Sequence, residues 1–200
     1  FNRGNHSEIG VVQGKTLDND YSVCTADVCP VGALTSKDFR FKKRVWYLSV
    51  TNSICNQCSN GCNITIEHEN GVVYRYKPRE NKEVNNFWMC DFGRLSYKEL
   101  NENRLYEPKI KGNVVSYSEG ITKIFEQLKE YDNKKNKVAI VVSASTSLEN
   151  AFAIKYFFNE YLEYENFYMS CKADGKSDDL LIKKDKNPNR KGVKIALSNL

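Results

Sequence analysis

Two hundred residues leave room for one ordinary domain or roughly two to three small ones, and 40% hydrophobic with 28% charged residues excludes wholesale disorder. The longest apolar run, 138–142, has five residues against the roughly 20 a bilayer span needs, and no basic-then-apolar leader opens the chain. Membrane embedding and secretion are therefore disfavoured, a chain that starts on Phe1 reads as a fragment, and a net charge of +5 is a weak pointer to nucleic acid.

Residues 1–44 read as mostly irregular, with Gly4, Gly10, Gly14 and Gly32, and they close on a basic run at 37–44. Residues 45–107 hold four of the seven cysteines. Within them 63–67 alternates polar and apolar, with Ile64 and Ile66 on one face, and Asn70-Gly71 separates it from 72–76. Asn-Gly between two alternating runs predicts a hairpin, because both central positions of a type I′ turn need positive φ. From 108 the period changes. Ser116 and Glu119 form a capping box ahead of Ile121, Ile124, Phe125 and Leu128 at helical spacing, and 133–136 ends that helix. The run 138–142 predicts a buried strand. Thr146 and Glu149 are expected to cap a second helix with Ile154, Phe157, Phe158 and Tyr161 on one face, and 167–169 predicts a short strand. Strand, helix and strand within about 33 residues make a βαβ unit, so a parallel sheet starts here. The basic stretch 183–194, with Asn187-Pro188, reads as a loop, and 193–197 as the start of a further element.

An odd, unevenly spaced set of seven cysteines suits metal ligation better than a disulfide scaffold. Cys55, Cys58, Cys62 and Cys90 follow the spacing C-x2-C-x3-C-x27-C. Three thiolates on one tight loop can cap three corners of a cubane, and a fourth from a distant return completes the ligation. Zinc sites more often pair two C-x2-C knuckles. The reading is a 4Fe–4S cluster, with zinc and free thiols as alternatives. Backbone N–H groups of 56–61 are expected to donate to the cluster sulfurs, Gly61 allowing close approach. Cys29-Pro30 resembles the end of a bacterial ferredoxin run, whose last cysteine often serves another cluster. Alone, a Cys-Pro pair is more often a turn with a buried thiol, and no C-x2-C-x2-C precedes it here. Cys24 and Cys171 read as buried or partly buried thiols. His6 and His68 read as surface residues, and two histidines so placed assemble no catalytic triad. Lys42-Lys43-Arg44 reads as a solvated face or subunit contact, not a nucleic-acid site. The 143–147 turn lacks the Gly-rich fingerprint that would argue for nucleotide binding.

Four stretches together resemble one family. They are Cys29-Pro30-Val31-Gly32-Ala33-Leu34-Thr35-Ser36-Lys37-Asp38-Phe39-Arg40-Phe41, Arg44-Val45-Trp46, the four-cysteine loop, and Cys90-Asp91-x-Gly93-Arg94. With the opening Asn2-Arg3-Gly4-Asn5-His6-Ser7-Glu8-Ile9, they resemble the large iron–sulfur subunits of bacterial NADH:quinone oxidoreductase, which is respiratory complex I. The resemblance implies an α+β then α/β architecture in three parts. Residues 1–44 would be the end of a ferredoxin-like iron–sulfur region. Residues 45–107 would be a small β-rich 4Fe–4S domain of the molybdopterin-oxidoreductase (Mo/W bis-MGD) type. Residues 108–200 would start an α/β parallel-sheet body that lacks molybdenum.

By the same resemblance Cys29 matches the fourth ligand of an in-line 4Fe–4S cluster whose other ligands lie upstream. Cys55, Cys58, Cys62 and Cys90 match a complete additional 4Fe–4S cluster thought to lie off the main electron path. The implied function is electron transfer from NADH towards quinone, with no catalytic or other cofactor-binding residue in this chain and no activity when it is isolated. Implied partners are the NADH-binding flavin subunit and other hydrophilic-arm subunits, at the cytoplasmic side of the inner membrane and without direct membrane insertion. The alternative is a molybdopterin enzyme such as a formate dehydrogenase. In those the fourth cysteine is commonly followed by x-Lys-Gly. Phe92 stands at the lysine position here, which favours the complex I reading.

Overall fold

Alternation and a two-residue turn build the central sheet of the computed structural model, which describes residues 2–131 and 137–198. Strands β2 (Asn63–Glu69) and β3 (Val72–Pro78) pair antiparallel across Asn70, φ 49°, and Gly71, φ 79°, the positive dihedrals that a type I′ turn demands. Ile64 and Tyr76 are buried on the core side and Ile66 packs beside them. A register shift between Glu67 and His68 marks a bulge near the turn. A strand that the sequence pattern did not announce, β1 (Ser49–Ile54), adds antiparallel to β2 to give the order β1-β2-β3. Its two large apolar residues, Val50 and Ile54, face solvent, so it carries no core-facing alternation to read.

Short helices flank this sheet: α1 (Cys24–Val28), α2 (Asp91–Leu95) and α3 (Lys98–Asn101). The rest of 1–44 is largely irregular, as its glycines suggested. Two further residues at positive φ, Lys111 and Gly112, close a minimal hairpin of β4 (Lys109–Ile110) and β5 (Asn113–Val114).

The second half holds a βαβ unit. Helix α4 (Tyr117–Glu130) starts on the reciprocal Ser116/Glu119 capping box, but its apolar stripe is not core: Ile121 and Ile124 are 53% and 55% exposed, and Leu128 alone of the four reaches the second core. The expected helix break at 133–136 lies outside the described residues. Strands β6 (Ile140–Ser143) and β7 (Phe167–Ser170) pair in parallel, Ile140 against Phe167, with α5 (Leu148–Tyr156) crossing between them. Three expectations need correction. The strand is one-sided, Ile140 and Val142 being buried and Val141 61% exposed. The cap of α5 is Ser147, whose Oγ accepts from Asn150 N–H, one residue beyond the expected Thr146/Glu149 pair. Beyond Tyr156 the helix widens to a π turn, Phe157–Tyr161, and the extra residue rotates the face. Ile154 and Phe158 therefore pack inward while Tyr161 is 68% exposed.

Helix α6 (Arg190–Ser198) contributes buried Val193 and Ala196 to this second core, beside Ile140, Val142, Ala151 and Tyr164. The first core gathers Cys55, Cys62, Ile64, Tyr76, Met89 and Tyr97, and one residue from far along the chain, Leu181. Among the described residues no helix is long and apolar enough to cross a membrane.

Candidate metal centre

The end of β1 and the start of β2 bracket a tight loop. Cys55 N–H donates to the Cys62 carbonyl at 2.8 Å, closing 55–62 with Cys58 within it and Gly61 at φ 65°. From the other side the chain returns so that Cys90 is the N-cap of α2, its Sγ accepting from Gly93 N–H at 3.4 Å. Cys55, Cys58, Cys62 and Cys90 line one cavity of about 240 Å³. Gly93 is required by space: a β-carbon there would stand 3.0 Å from Cys55 Sγ and 3.4 Å from Cys90 Sγ, so the two thiols close over the glycine.

Burial governs the chemistry of these thiols. It pushes Cys55 up to about 12, against the opposing Gln57 N–H, and the neighbouring cysteines add to the rise. Burial also raises Cys62, opposed by Asn60 Nδ2, which donates to its Sγ at 3.1 Å. Cys90 is raised likewise by burial, with Gly93 N–H pulling the other way. Thiols that bind a metal do so as thiolates, so loading this site must release protons. The arrangement suits a multi-metal cluster better than one ion. The cavity, at about 240 Å³, is several times the roughly 30 Å³ share of one water molecule.

Of the expected backbone donors, Gln57 lies in the 56–61 loop, and the Asn60 side chain joins it. Sequence reasoning quoted Gly93 only within a family motif, and it missed Met89 and a further group on the cavity wall, Lys176, Leu181, Ile182 and Lys186. These last come about 90 residues after Cys90 in a stretch with no ligand types in the right spacing, so no local signal marks them. The basic stretch 183–194 is thus not wholly a loop: its Lys186 borders the cysteines, and from Arg190 it is the start of α6. Phe92, 63% exposed, also borders the cavity.

Cys29 stands elsewhere. It is the C-cap of α1, half-buried, and its Sγ accepts from Leu34 N–H at 3.4 Å. The N–H groups of Leu34 and Val31, then those of Ala33 and Gly32, draw its thiol below the ordinary value against a smaller burial penalty. It does not line the four-cysteine cavity. Helices α1 and α2 are nevertheless clamped to each other. Arg94 of α2 ion-pairs with Asp27 of α1, and the Asp91 carboxylate accepts Val23 N–H at 3.1 and 3.2 Å. Cys24 is buried, as expected, with Sγ 3.2 Å from the Met89 carbonyl. Cys171 is exposed, contrary to expectation, because it follows the last residue of β7 on the loop. His68 Nε2 lies 3.0 Å from Thr51 Oγ1, and His6 is exposed. Lys42 and Lys43 spend their charge within the chain, on Asp38 at 3.3 Å and Glu69 at 2.5 Å.

Comparison with known proteins adds two matches to family models. Residues 1–35 match the ferredoxin-like domain of NADH-quinone oxidoreductase subunit 3, and residues 48–102 match the molybdopterin oxidoreductase Fe4S4 domain. The G subunit of the NADH-quinone oxidoreductase of Rickettsia felis is 37% identical over 159 residues, 78% of this chain and 23% of the relative. The NADH-ubiquinone oxidoreductase 75 kDa subunit of Reclinomonas americana is 33% identical over 193 residues, 92% of this chain and 28% of the relative. NADH-quinone oxidoreductase subunit 3 of Thermus thermophilus is 34% identical over 151 residues, 74% of this chain and 19% of the relative. The chain spans about a quarter of the length of the curated relatives it matches.

Proposed function

We propose, from the premise that this chain belongs to the family of the large iron–sulfur (G) subunits of NADH-quinone oxidoreductase and carries their 4Fe–4S-type domains, that it is an electron-transfer segment of that complex. In this reading Cys55, Cys58, Cys62 and Cys90 hold one complete 4Fe–4S cluster. Cys29 supplies one ligand of a second, with its other ligands from elsewhere in the protein. The observation that carries it is the convergence of four thiols from two distant segments on one cavity.

A 4Fe–4S cluster, when bound, supplies one-electron carriage. The chain's own residues do the rest. The four thiols bind as thiolates, the Gln57 and Gly93 N–H groups and Asn60 Nδ2 donate to sulfur, and Met89 and Leu181 exclude water. Such donors and such dryness are what proteins use to set a cluster's potential. The domain division at 44/45 and 107/108 belongs to the same proposal, supported by family-model matches that end at 35, start at 48 and end at 102. So does the assignment of 108–200 as the start of an α/β parallel-sheet body, supported by the β6–β7 pair. The partners are the NADH-binding flavin subunit and hydrophilic-arm subunits, with the chain peripheral at the cytoplasmic face of the membrane.

The test is compositional. Expressed and reconstituted without oxygen, this chain should carry about four iron and four acid-labile sulfides, from one cluster. Stoichiometric zinc without visible absorbance overturns the cluster. Iron near about eight per chain would mean that Cys29 completes a second cluster within the chain. Recovery of molybdenum or tungsten on a pterin from a competent host would favour the molybdopterin-enzyme reading instead.

A further inference from the structure

The loop between β7 and α6, residues 171–189, closes the cysteine cavity and is built stiff. On the βαβ side the buried Asn187 side chain accepts Lys172 N–H at 2.7 Å and donates to the Lys172 carbonyl at 2.9 Å. On the cluster side Ser59 N–H donates to the Asp185 carbonyl at 2.9 Å, and the Tyr21 hydroxyl donates to the Asp178 carboxylate. That carboxylate also accepts the N–H groups of Leu180 and Ile182 at 3.0 and 2.8 Å, which turns Leu181 into the core, 5% exposed, beside Cys55 and Cys62.

Within this loop one charge is held fixed. Lys186 Nζ donates to the Lys176 and Lys183 carbonyls at 2.6 and 2.7 Å. Its stem crosses Gly175, where a β-carbon would stand 2.5 Å from Lys186 Cε, so the glycine leaves the path open. Lys186 is half-buried on the wall that the four cysteines share. Among the described residues no carboxylate forms an ion pair with it. The charged residues lining the cavity are Lys176 and Lys186 against Asp20, a net positive wall.

Resting on the ligand assignment above, we infer that Lys186 is a potential-setting residue: a fixed cation that favours the reduced state of the cluster held by Cys55, Cys58, Cys62 and Cys90. Reduction adds one negative charge to the cluster and makes or breaks no bond. A cation that cannot turn away stabilises that charge, and it does so more strongly where apolar walls keep water out. Leu181 and Ile182 supply those walls. The role is electrostatic, so the charge matters and the shape of the side chain does not.

A redox titration followed by paramagnetic resonance, with dithionite as the electron source, tests this on the reconstituted chain. Lys186→Gln keeps N–H donors for the two carbonyls and removes the charge. It should raise the oxidised-to-reduced ratio at the wild-type midpoint about tenfold, a fall of about 59 mV for one electron. Lys186→Arg should stay within about twofold of wild type, and Lys176→Gln should move in the same direction by less. A Lys186→Gln protein with normal iron and an unmoved midpoint overturns the inference, as does an Arg variant that moves as far as the Gln variant. Should Lys186→Gln fail to hold iron, Lys186→Met is titrated in its place, and an unmoved midpoint there overturns it. A wild-type chain that holds no iron fails the ligand assignment itself, and this inference with it.

Discussion

Cys29 and the four-cysteine cavity present thiols under opposite conditions. Cys29 is half-buried on a short turn, and the N–H groups of Val31, Gly32, Ala33 and Leu34 draw its thiol down. Cys55 is 6% exposed, and burial drives its thiol up to about 12. The first environment is local: a Cys-Pro turn with Gly32 at φ 68° makes the donors converge without help from distant chain. The second exists only after β1, β2, α2 and the 171–189 loop have come together. Loss of a ligand should therefore read out differently in the two places. At Cys29 little folding energy is at stake, whereas the cavity's ligands are also members of a core, and in a small domain a metal site is part of the folding free energy.

The largest expected effect separates the two by consequence, in the full-length subunit within its complex. Cys29→Ala should leave assembly near normal and abolish electron flow from NADH to quinone, because in the proposed reading it holds an in-line cluster. Cys90→Ala should lower the amount of assembled complex, while the complex that forms keeps most of its turnover. Abundance by native gel and turnover per assembled complex are measured separately. Normal abundance with turnover down more than about tenfold in Cys90→Ala puts that cluster on the path and removes the contrast.

A middle-sized effect tests whether the cavity's core extends to the far loop. Leu181→Ala deletes a side chain that is 5% exposed among Cys55, Cys62 and Tyr76, and such truncations cost about 2–5 kcal/mol. For a chain of this size that corresponds to a fall in thermal midpoint on the order of 10 °C, accompanied by faster loss of iron. Cys29's surroundings contain no contribution from this loop, so the same change should not alter the environment of a probe on Cys29. A thermal midpoint and iron retention equal to wild type would show the loop to be an appendage.

What the sequence disclosed follows the same division between local and distant. Asn70-Gly71 announced its hairpin because the turn needs positive φ at both positions, and Ser116 with Glu119 announced α4 through two reciprocal bonds. The C-x2-C-x3-C-x27-C spacing marked the four cysteines that the cavity brings together. β1 escaped notice because its partner is chosen by backbone pairing while Val50 and Ile54 face outward. The stripe on α4 was legible as helix but not as surface, since spacing fixes the period and not what covers it. The π turn after α5 shifted a face that a 3.6-residue period placed wrongly. Lys186 and Leu181 were invisible, because nothing near them in the chain refers to cysteines some 90 residues earlier.

The smallest effect concerns what joins the two regions. Asp38, shortly after the Cys29 turn in the chain, docks on α3: its carboxylate accepts the Tyr97 hydroxyl and meets Lys98 Nζ at 2.8 Å and Lys42 Nζ at 3.3 Å. Burial acting alone would raise this carboxyl, but the hydrogen bonds from Lys98 and Tyr97 and the charges of Lys42 and Lys98 bring it below the ordinary value. A group depressed on folding adds stability above its unfolded value, about 3.9 for Asp, and that stability is lost as pH falls through the lower folded value. Asp38→Asn should therefore destabilise the metal-free chain by about 1–2 kcal/mol at neutral pH, the partial exposure of the lysines keeping the figure modest. Because the variant does not titrate there, the gap between the two proteins in urea unfolding should hold from about pH 7 to 5 and shrink between about pH 5 and 3. A gap of constant size across the acid range would mean that Asp38 acts through shape and not charge. The contact between the Cys29 turn and α3 would then be held by packing alone.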